Sequence, residues 1–449
     1  MAGLAARCWA TGLWLPRPVC ATAGGPALYI ADLIDRGGTM TELTIEVEPG
    51  QVGLDPERLA RIDRHFARYV DDGRLPGWQV VVSRAGQIAH LSEYGARDVE
   101  AGLPVERDTL FRVYSMSKPI TSVALMMLYE EGAFELKDPV SRYLPAFADQ
   151  RVYESGPPSK PVTRPAVEPM RIWHLLTHTS GLTYGFHFAH PVDAMYRHAG
   201  FEWGSPREDD LAKVCDTYAS FPLLFEPGTE WNYSVATDVV GRLVEVLSGQ
   251  PLDEFLAERI FRPLGMTDAG FFAPEADHGR LAALYVPGHD GRATRLDALG
   301  DGAKQKPAMF SGGGGLVSTA ADYHRFTQML LRGGELDGVR LLGRATVEYM
   351  TTNHLPGGVE LEKIARPTFS ETAFSGMGFG LGFSVVESPA ENKVLSRPGE
   401  FAWGGAASTA FWVDPLEEIT VLFFTQLLPS STYNIRPQLK QLVYQALVD

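Results

Sequence analysis

Apolar residues recur at helical spacing across residues 55–69, so that Leu59, Ile62, Phe66 and Tyr69 share one face. Asp55 suits the N-cap and Pro56 the first helical position, where the missing proline N–H costs nothing. The pattern then shifts to β-branched and aromatic residues. Trp78 to Ser83, a turn at Arg84-Ala-Gly86, and Gln87 to Tyr94 predict a strand hairpin. Thr109 to Val113 predicts a short extended run feeding a helix that is apolar on nearly every side, through Val123, Met126 and Met127 to a stop at Gly132. A helix with no polar face belongs in the interior.

Between Asp138 and Pro169 the prolines Pro139, Pro145, Pro157, Pro158 and Pro161 predict long connecting structure. Short helices are expected over Ile172–His178 and Glu208–Tyr218, with a loop-rich stretch between them. Val239, Leu243, Val246 and Leu247 mark a helix ending at Gly249, and a further helix spans Pro251–Ile260. Beyond Ala308 the pattern predicts a helix over Ala321–Leu331 and strands over Gly378–Val386, Ser408–Val413 and Ile419–Gln426. A last helix starts near Pro437. Strands near both chain ends with helices between them predict an α+β fold. Its antiparallel sheet is built from both ends (roughly 50–115 and 306–449) and flanked by helices, with an inserted, mainly helical lobe (roughly 125–305). Residues 1–49 read as a disordered extension ahead of one catalytic domain over 50–449.

The net charge of -15 excludes a general nucleic-acid binder, which needs a basic footprint. Cys8, Cys20 and Cys215 make no disulfide framework, and no apolar run reaches membrane-spanning length. The segment before Met40 is a poor secretory signal, because Gly12, Pro16 and Pro18 break its apolar run, although Ala21-Thr-Ala23 has the form of a cleavage site. A cytoplasmic location is therefore expected over a secreted one, and Met40 is an alternative start. Monomer and homodimer are both compatible with the composition.

Chemistry is concentrated in Ser115-Met-Ser-Lys118, at the mouth of the apolar helix. Positions three apart share a helical face, so the lysine amine can approach the serine hydroxyl as a base. A helix N-terminus also offers a free N–H and a favourable dipole to a developing oxyanion. By itself the pair reads more readily as an ordinary helix cap beside a solvent-facing lysine, since a Ser-x-x-Lys is a common coincidence in a chain of this length. His174 and His178 are four apart but lack the Glu of a His-Glu-x-x-His site, and read as structural histidines. Gly312 to Gly315 lack the Gly-Lys-Ser/Thr of a phosphate loop and read as close-approach backbone. No Gly-x-Ser-x-Gly elbow is present.

Five ordered segments change the weight of the Ser–Lys pair. Ser115-Met-Ser-Lys118, Tyr233-Ser-Val235 within Pro227-Gly-Thr-Glu-Trp-Asn-Tyr-Ser234, and Trp403-Gly-Gly405 are joined by Trp173-His-Leu-Leu-Thr-His-Thr-Ser-Gly-Leu182 and Gly313-Gly-Gly-Leu-Val-Ser-Thr-Ala320. Over residues 50–449 the chain resembles the serine β-lactamase and penicillin-binding-protein superfamily, and within it the class C β-lactamase-like, or family VIII, carboxylesterases. The resemblance implies a β-lactamase/transpeptidase-like fold and a cofactor-free, metal-free serine hydrolase acting on a small-molecule ester. It makes Ser115 the acylated nucleophile, Lys118 its proton partner and Tyr233 a base and proton donor whose phenolate Lys118 would favour. By the same resemblance the N–H groups of Ser115 and Ala406 would form the oxyanion hole.

Val235, Trp403, Gly404 and Gly405 then line the substrate pocket. Two of these depart from the lactamase pattern: Val235 stands where an asparagine is usual and Trp403 where a lysine is usual. Loss of the cation disfavours a carboxylate ligand and favours neutral esters with short or medium acyl groups. Arg397, close in sequence, is a candidate replacement cation that keeps β-lactamase or D-alanyl-D-alanine peptidase activity open. Acyl transfer to an alcohol acceptor stays open as well, as does a non-catalytic binding role for the same fold.

Overall fold

A computed structural model describes residues 43–449. The expected extension, cleavage site and alternative start fall mainly on residues 1–42, outside the described residues. Of residues 43–49, within the stretch assigned to that extension, Leu43 is buried and the Glu46 carboxylate accepts the Ile88 N–H, while Thr44, Ile45 and Glu48 are exposed.

Eight strands form one antiparallel sheet. In chain order they are β1 (Gly77–Arg84), β2 (Gln87–Asp98), β3 (Leu103–Pro104), β4 (Met377–Phe379), β5 (Ser384–Val386), β6 (Phe401–Gly404), β7 (Ala410–Asp414) and β8 (Ile419–Phe424). Their spatial order is β4-β5-β6-β7-β8-β1-β2-β3, so the two chain ends meet where β8 pairs with β1, Val80 opposite Phe423 and Val82 opposite Val421. The sheet built from both ends that the pattern predicts is present.

Strand alternation divides the sheet into two faces. Val80, Val82, Val421 and Phe423 pack against α1 (Pro56–Asp71) and the C-terminal helix, through Leu59, Ile62, Phe66, Leu439 and Val443. The Asp55 side chain caps α1 by accepting the Arg58 N–H at 3.0 Å. Phe411, Leu422 and Phe424 face the other way, towards helix Ala320–Leu331, whose Tyr323 ring lies 5.3 Å from that of Phe411. Tyr323 Oη also donates to the Met116 carbonyl at 2.8 Å, at the entry to α2 (Ser117–Glu130), which is buried at every position from Ser117 to Leu128.

Three expectations need correction. Gly378–Val386 is not one strand but the β4–β5 hairpin, because Gly382 turns the chain at φ 98° where a side chain would strike Ser122 of α2. The proline-rich 138–169 stretch contains a small hairpin, Arg151–Ser155 paired with Val162–Pro165. The loop-rich region before Gly204 contains the helix Pro191–His198, capped by the side chain of His190. Among the described residues no helix is long and apolar enough to cross a membrane.

Candidate active site

Ser115 sits in a single 3-10 turn, Tyr114–Met116, that leads into α2. Tyr114 holds φ 43°, a sparsely populated region for a residue with a Cβ, so the entry to the helix is sharply turned. Lys118 follows in the first helical turn and its Nζ donates to Ser115 Oγ at 3.3 Å, to Tyr184 Oη at 2.9 Å and to the Gly313 carbonyl at 2.7 Å. The amine is almost wholly buried. That desolvation draws its pKa down to about 7, against the opposing pull of Asp238 and Glu371.

Tyr233 precedes the helix Ala236–Ser248, and its ring lies under the Lys118 ammonium, 4.6 Å from Nζ to centroid. The Tyr233 hydroxyl has no hydrogen-bond partner among the described residues, although the side chains of Ser115 and Trp403 lie beside it. Burial, followed by the nearby Glu371 carboxylate, pushes its pKa well above the ordinary phenol value. Burial thus disfavours the phenolate and favours the neutral phenol at Tyr233. His187 Nε2 meets the Tyr233 carbonyl at 2.7 Å and His178 Nδ1 meets Ser234 Oγ at 3.1 Å, so two histidines hold the segment from both sides. Burial keeps both rings neutral, their pKa values lying below the ordinary histidine value.

No motif in the chain marks Tyr184. It follows Thr179-Ser-Gly-Leu-Thr183 closely enough that an aromatic beside that segment is the one local signal. Burial raises its pKa well above the ordinary phenol value too. The site thus places two phenols around one lysine.

The glycine-rich run 312–315 forms the wall opposite these phenols. A Cβ on Gly312 would meet Thr121 of α2 at 2.8 Å. The buried Asp238 carboxylate accepts from Ser311 Oγ at 2.7 Å and from the Gly313 N–H at 2.9 Å. The run is close-approach backbone, and it supplies the carbonyl that receives Lys118.

The third wall is the end of β6. Trp403 is buried with its ring 5.4 Å from that of Tyr233. A Cβ on Gly405 would fall on the Val113 carbonyl, so only glycine lets this strand end lie against the turn that carries Ser115. Ala406 follows, and its N–H has no backbone partner among the described residues. Val235 is buried at the N-cap of its helix, its N–H reaching the Thr183 carbonyl at 3.4 Å.

Arg397 does not reach this wall. It pairs with Glu417 at 2.7 Å, at the end of β6 away from Gly405. The cation present instead is Arg436, from the C-terminal helix, donating to the Thr409 carbonyl at 3.1 Å and the Gly405 carbonyl at 3.4 Å. It is already ion-paired with the fully buried Glu371 side chain. Nothing in the local sequence marks this pair, since its members lie 65 positions apart. Likewise His174 is structural, its Nδ1 accepting the Arg171 N–H at 3.0 Å.

A serine in the turn that enters a buried helix, a lysine in that helix's first turn, two phenols from the helical lobe, and a Gly-Gly strand end facing them make an arrangement suited to serine acyl transfer. The Beta-lactamase family model matches residues 62–445, and the chain belongs to that family. It is similar to Protein Rv1367c of Mycobacterium tuberculosis, 38% identical over 363 residues that cover 80% of this chain and 88% of that protein. It is also similar to Esterase EstB of Burkholderia gladioli, 32% identical over 400 residues that cover 84% of this chain and 93% of EstB. Among solved structures, EstCE1, a hydrolase with promiscuous acyltransferase activity, superposes with a TM-score of 0.73 at 28% identity, covering 86% of this chain and 99% of EstCE1.

Proposed function

We propose that the protein is a serine carboxylesterase that cleaves small neutral esters with short or medium acyl groups through an acyl-enzyme on Ser115. The observation that carries this reading is the buried Lys118 amine, 3.3 Å from Ser115 Oγ, with a pKa drawn down to about 7. Near neutral pH a large share of that amine is uncharged and able to act as a base.

In acylation Ser115 Oγ attacks the ester carbonyl and gives its proton to Lys118. The carbonyl oxygen takes up negative charge facing the N–H groups of Ser115 and Ala406. Collapse breaks the bond to the leaving oxygen, which receives the Tyr233 proton. Lys118 returns a proton to the phenolate, so the net transfer runs from serine to alcohol. Deacylation repeats the sequence with water as nucleophile, and Ser115 recovers its proton. No cofactor or metal enters these steps.

Two pocket residues support a neutral substrate. Trp403 presents an indole where a lactam carboxylate would need a cation, and Arg436 beside it is already neutralised by Glu371. The esterase and hydrolase activities named for EstB and EstCE1 support the same class. The acyltransferase activity named for EstCE1 supports transfer to an alcohol as a second reading.

The test is separate incubation with p-nitrophenyl butyrate and a chromogenic cephalosporin, with mass spectrometry of the labelled peptide. Butyryl on Ser115 and turnover of the ester are expected. Acyl on any other residue sinks the mechanism, and rapid cephalosporin turnover without ester turnover overturns the substrate class.

A further inference from the structure

Tyr184 is the inner end of an aromatic strip that runs from Lys118 to the surface. Its ring lies 5.2 Å from that of Tyr233 and stacks on Phe186 at 4.5 Å and 19°. Phe186 in turn stacks on Trp203 at 4.9 Å and 14°. Phe369, from the segment preceding β4, closes the strip from the side, 6.0 Å from Phe186 and 6.4 Å from Tyr233. The outer ring is not covered: Trp203 is 51% exposed, in a segment otherwise made of Glu202, Gly204, Ser205, Pro206 and Arg207. A single exposed aromatic is ordinary on a surface, but this one is the end of a continuous series of rings that starts at the reacting groups.

The chemistry of the site decides which part of an ester meets the strip. The leaving oxygen must receive a proton from Tyr233, so it departs beside the phenols, and whatever is bonded to it lies over the rings that adjoin them. The acyl group, bonded to Ser115 Oγ, remains on the other side of the breaking bond. We propose that Tyr184, Phe186 and Trp203 form the binding surface for the alcohol portion of the substrate and select flat, apolar alcohols of the arylmethyl type. This assignment rests on the esterase reading above.

The same surface receives the acceptor when an alcohol replaces water. The acceptor oxygen then attacks the acyl carbon, the bond to Ser115 Oγ breaks, and the acceptor proton passes through the Tyr233–Lys118 pair to the serine. An arylmethyl alcohol held on the strip is presented to the acyl-enzyme at a local concentration that free water-like alcohols do not reach.

Two butyrates that differ only in the alcohol, ethyl and 2-naphthylmethyl, form the same acyl-enzyme and so isolate this surface. For Trp203→Ala, kcat/KM on the naphthylmethyl ester is expected to fall about five- to tenfold, the loss of one stacked ring, with the ethyl ester unchanged. Phe186→Leu is expected to act in the same direction, and transfer of butyryl to added 2-naphthylmethanol should fall in parallel. Equal losses on both esters, or none on either, overturn the alcohol surface while leaving the esterase intact. If neither ester acylates Ser115, the esterase reading itself fails and this one with it.

Discussion

Asp238 and Gly313 are joined by a 2.9 Å hydrogen bond from backbone N–H to carboxylate, and the carbonyl of that same glycine accepts from Lys118 at 2.7 Å. A buried acid thus reaches the Lys118 amine through the backbone of one residue, its N–H on one peptide unit and its carbonyl on the next. Its charge raises the lysine pKa that burial lowers, so the value near 7 is a balance between the two.

That balance sets the pH profile. The proposed base is the uncharged amine, so kcat/KM should rise with pH through about 7 and, with the Tyr233 phenol pushed well above its ordinary value, show no basic limb below about pH 10. Asp238→Asn removes the negative charge but keeps an acceptor for Gly313 N–H. The acid limb should then move to lower pH, and a shift upward in the measured profile contradicts this account.

Burial of Lys118 also has a consequence for stability. Its folded pKa is depressed, so between about 7 and the unfolded value near 10.4 the unfolded chain binds a proton that the folded chain lacks. Its contribution therefore becomes more favourable as pH rises through that window. Lys118→Met, which keeps an unbranched chain and removes the buried amine, should abolish ester turnover while raising the thermal midpoint at pH 7. Differential scanning calorimetry at pH 7 and pH 9 checks both the sign and its decrease with pH.

Gly405→Ala places a methyl group on the Val113 carbonyl and on Thr409. The strand end must move away from the Ser115 turn and take the Ala406 N–H with it. Losing one oxyanion donor costs about 10²-fold in kcat, and KM should change little. A variant with unaltered kcat would remove Ala406 from the site.

Arg436→Ala leaves the Glu371 carboxylate buried without its partner, which should destabilise the protein by about 2–3 kcal/mol, somewhat less than a fully buried pair because Arg436 is 25% exposed. Adding Glu371→Gln removes the stranded charge and should recover most of that loss. Denaturant melts of the two single variants and the double variant measure the coupling.

Ser115 and Lys118 were legible because they are three positions apart where a 3-10 turn runs straight into α2, and local geometry alone brings them together. The elements themselves were largely legible from periodicity: α1 with its Asp55 cap, the β1–β2 hairpin, and the buried α2 with its continuous apolar positions. Where the fold departs from that periodicity, a long-range contact decided the outcome. The single strand expected over Gly378–Val386 folds back at Gly382 because that turn packs on α2, and Arg397 finds Glu417 instead of a substrate.

What the amino-acid sequence determined by itself was the order of the elements, the sheet drawn from both ends and the motif that carries the proposed nucleophile. Hydrophobic spacing and backbone chemistry act over a few residues and can be read there. Only the tertiary structure brought Tyr184, 66 positions from Lys118, and the Gly313 carbonyl, 195 positions away, onto one amine. It also put Glu371 on Arg436 and ran the aromatic strip out to Trp203. The protonation of the site followed from the same packing, because a pKa depends on burial and neighbouring charge, and neither exists until the chain has closed around Lys118.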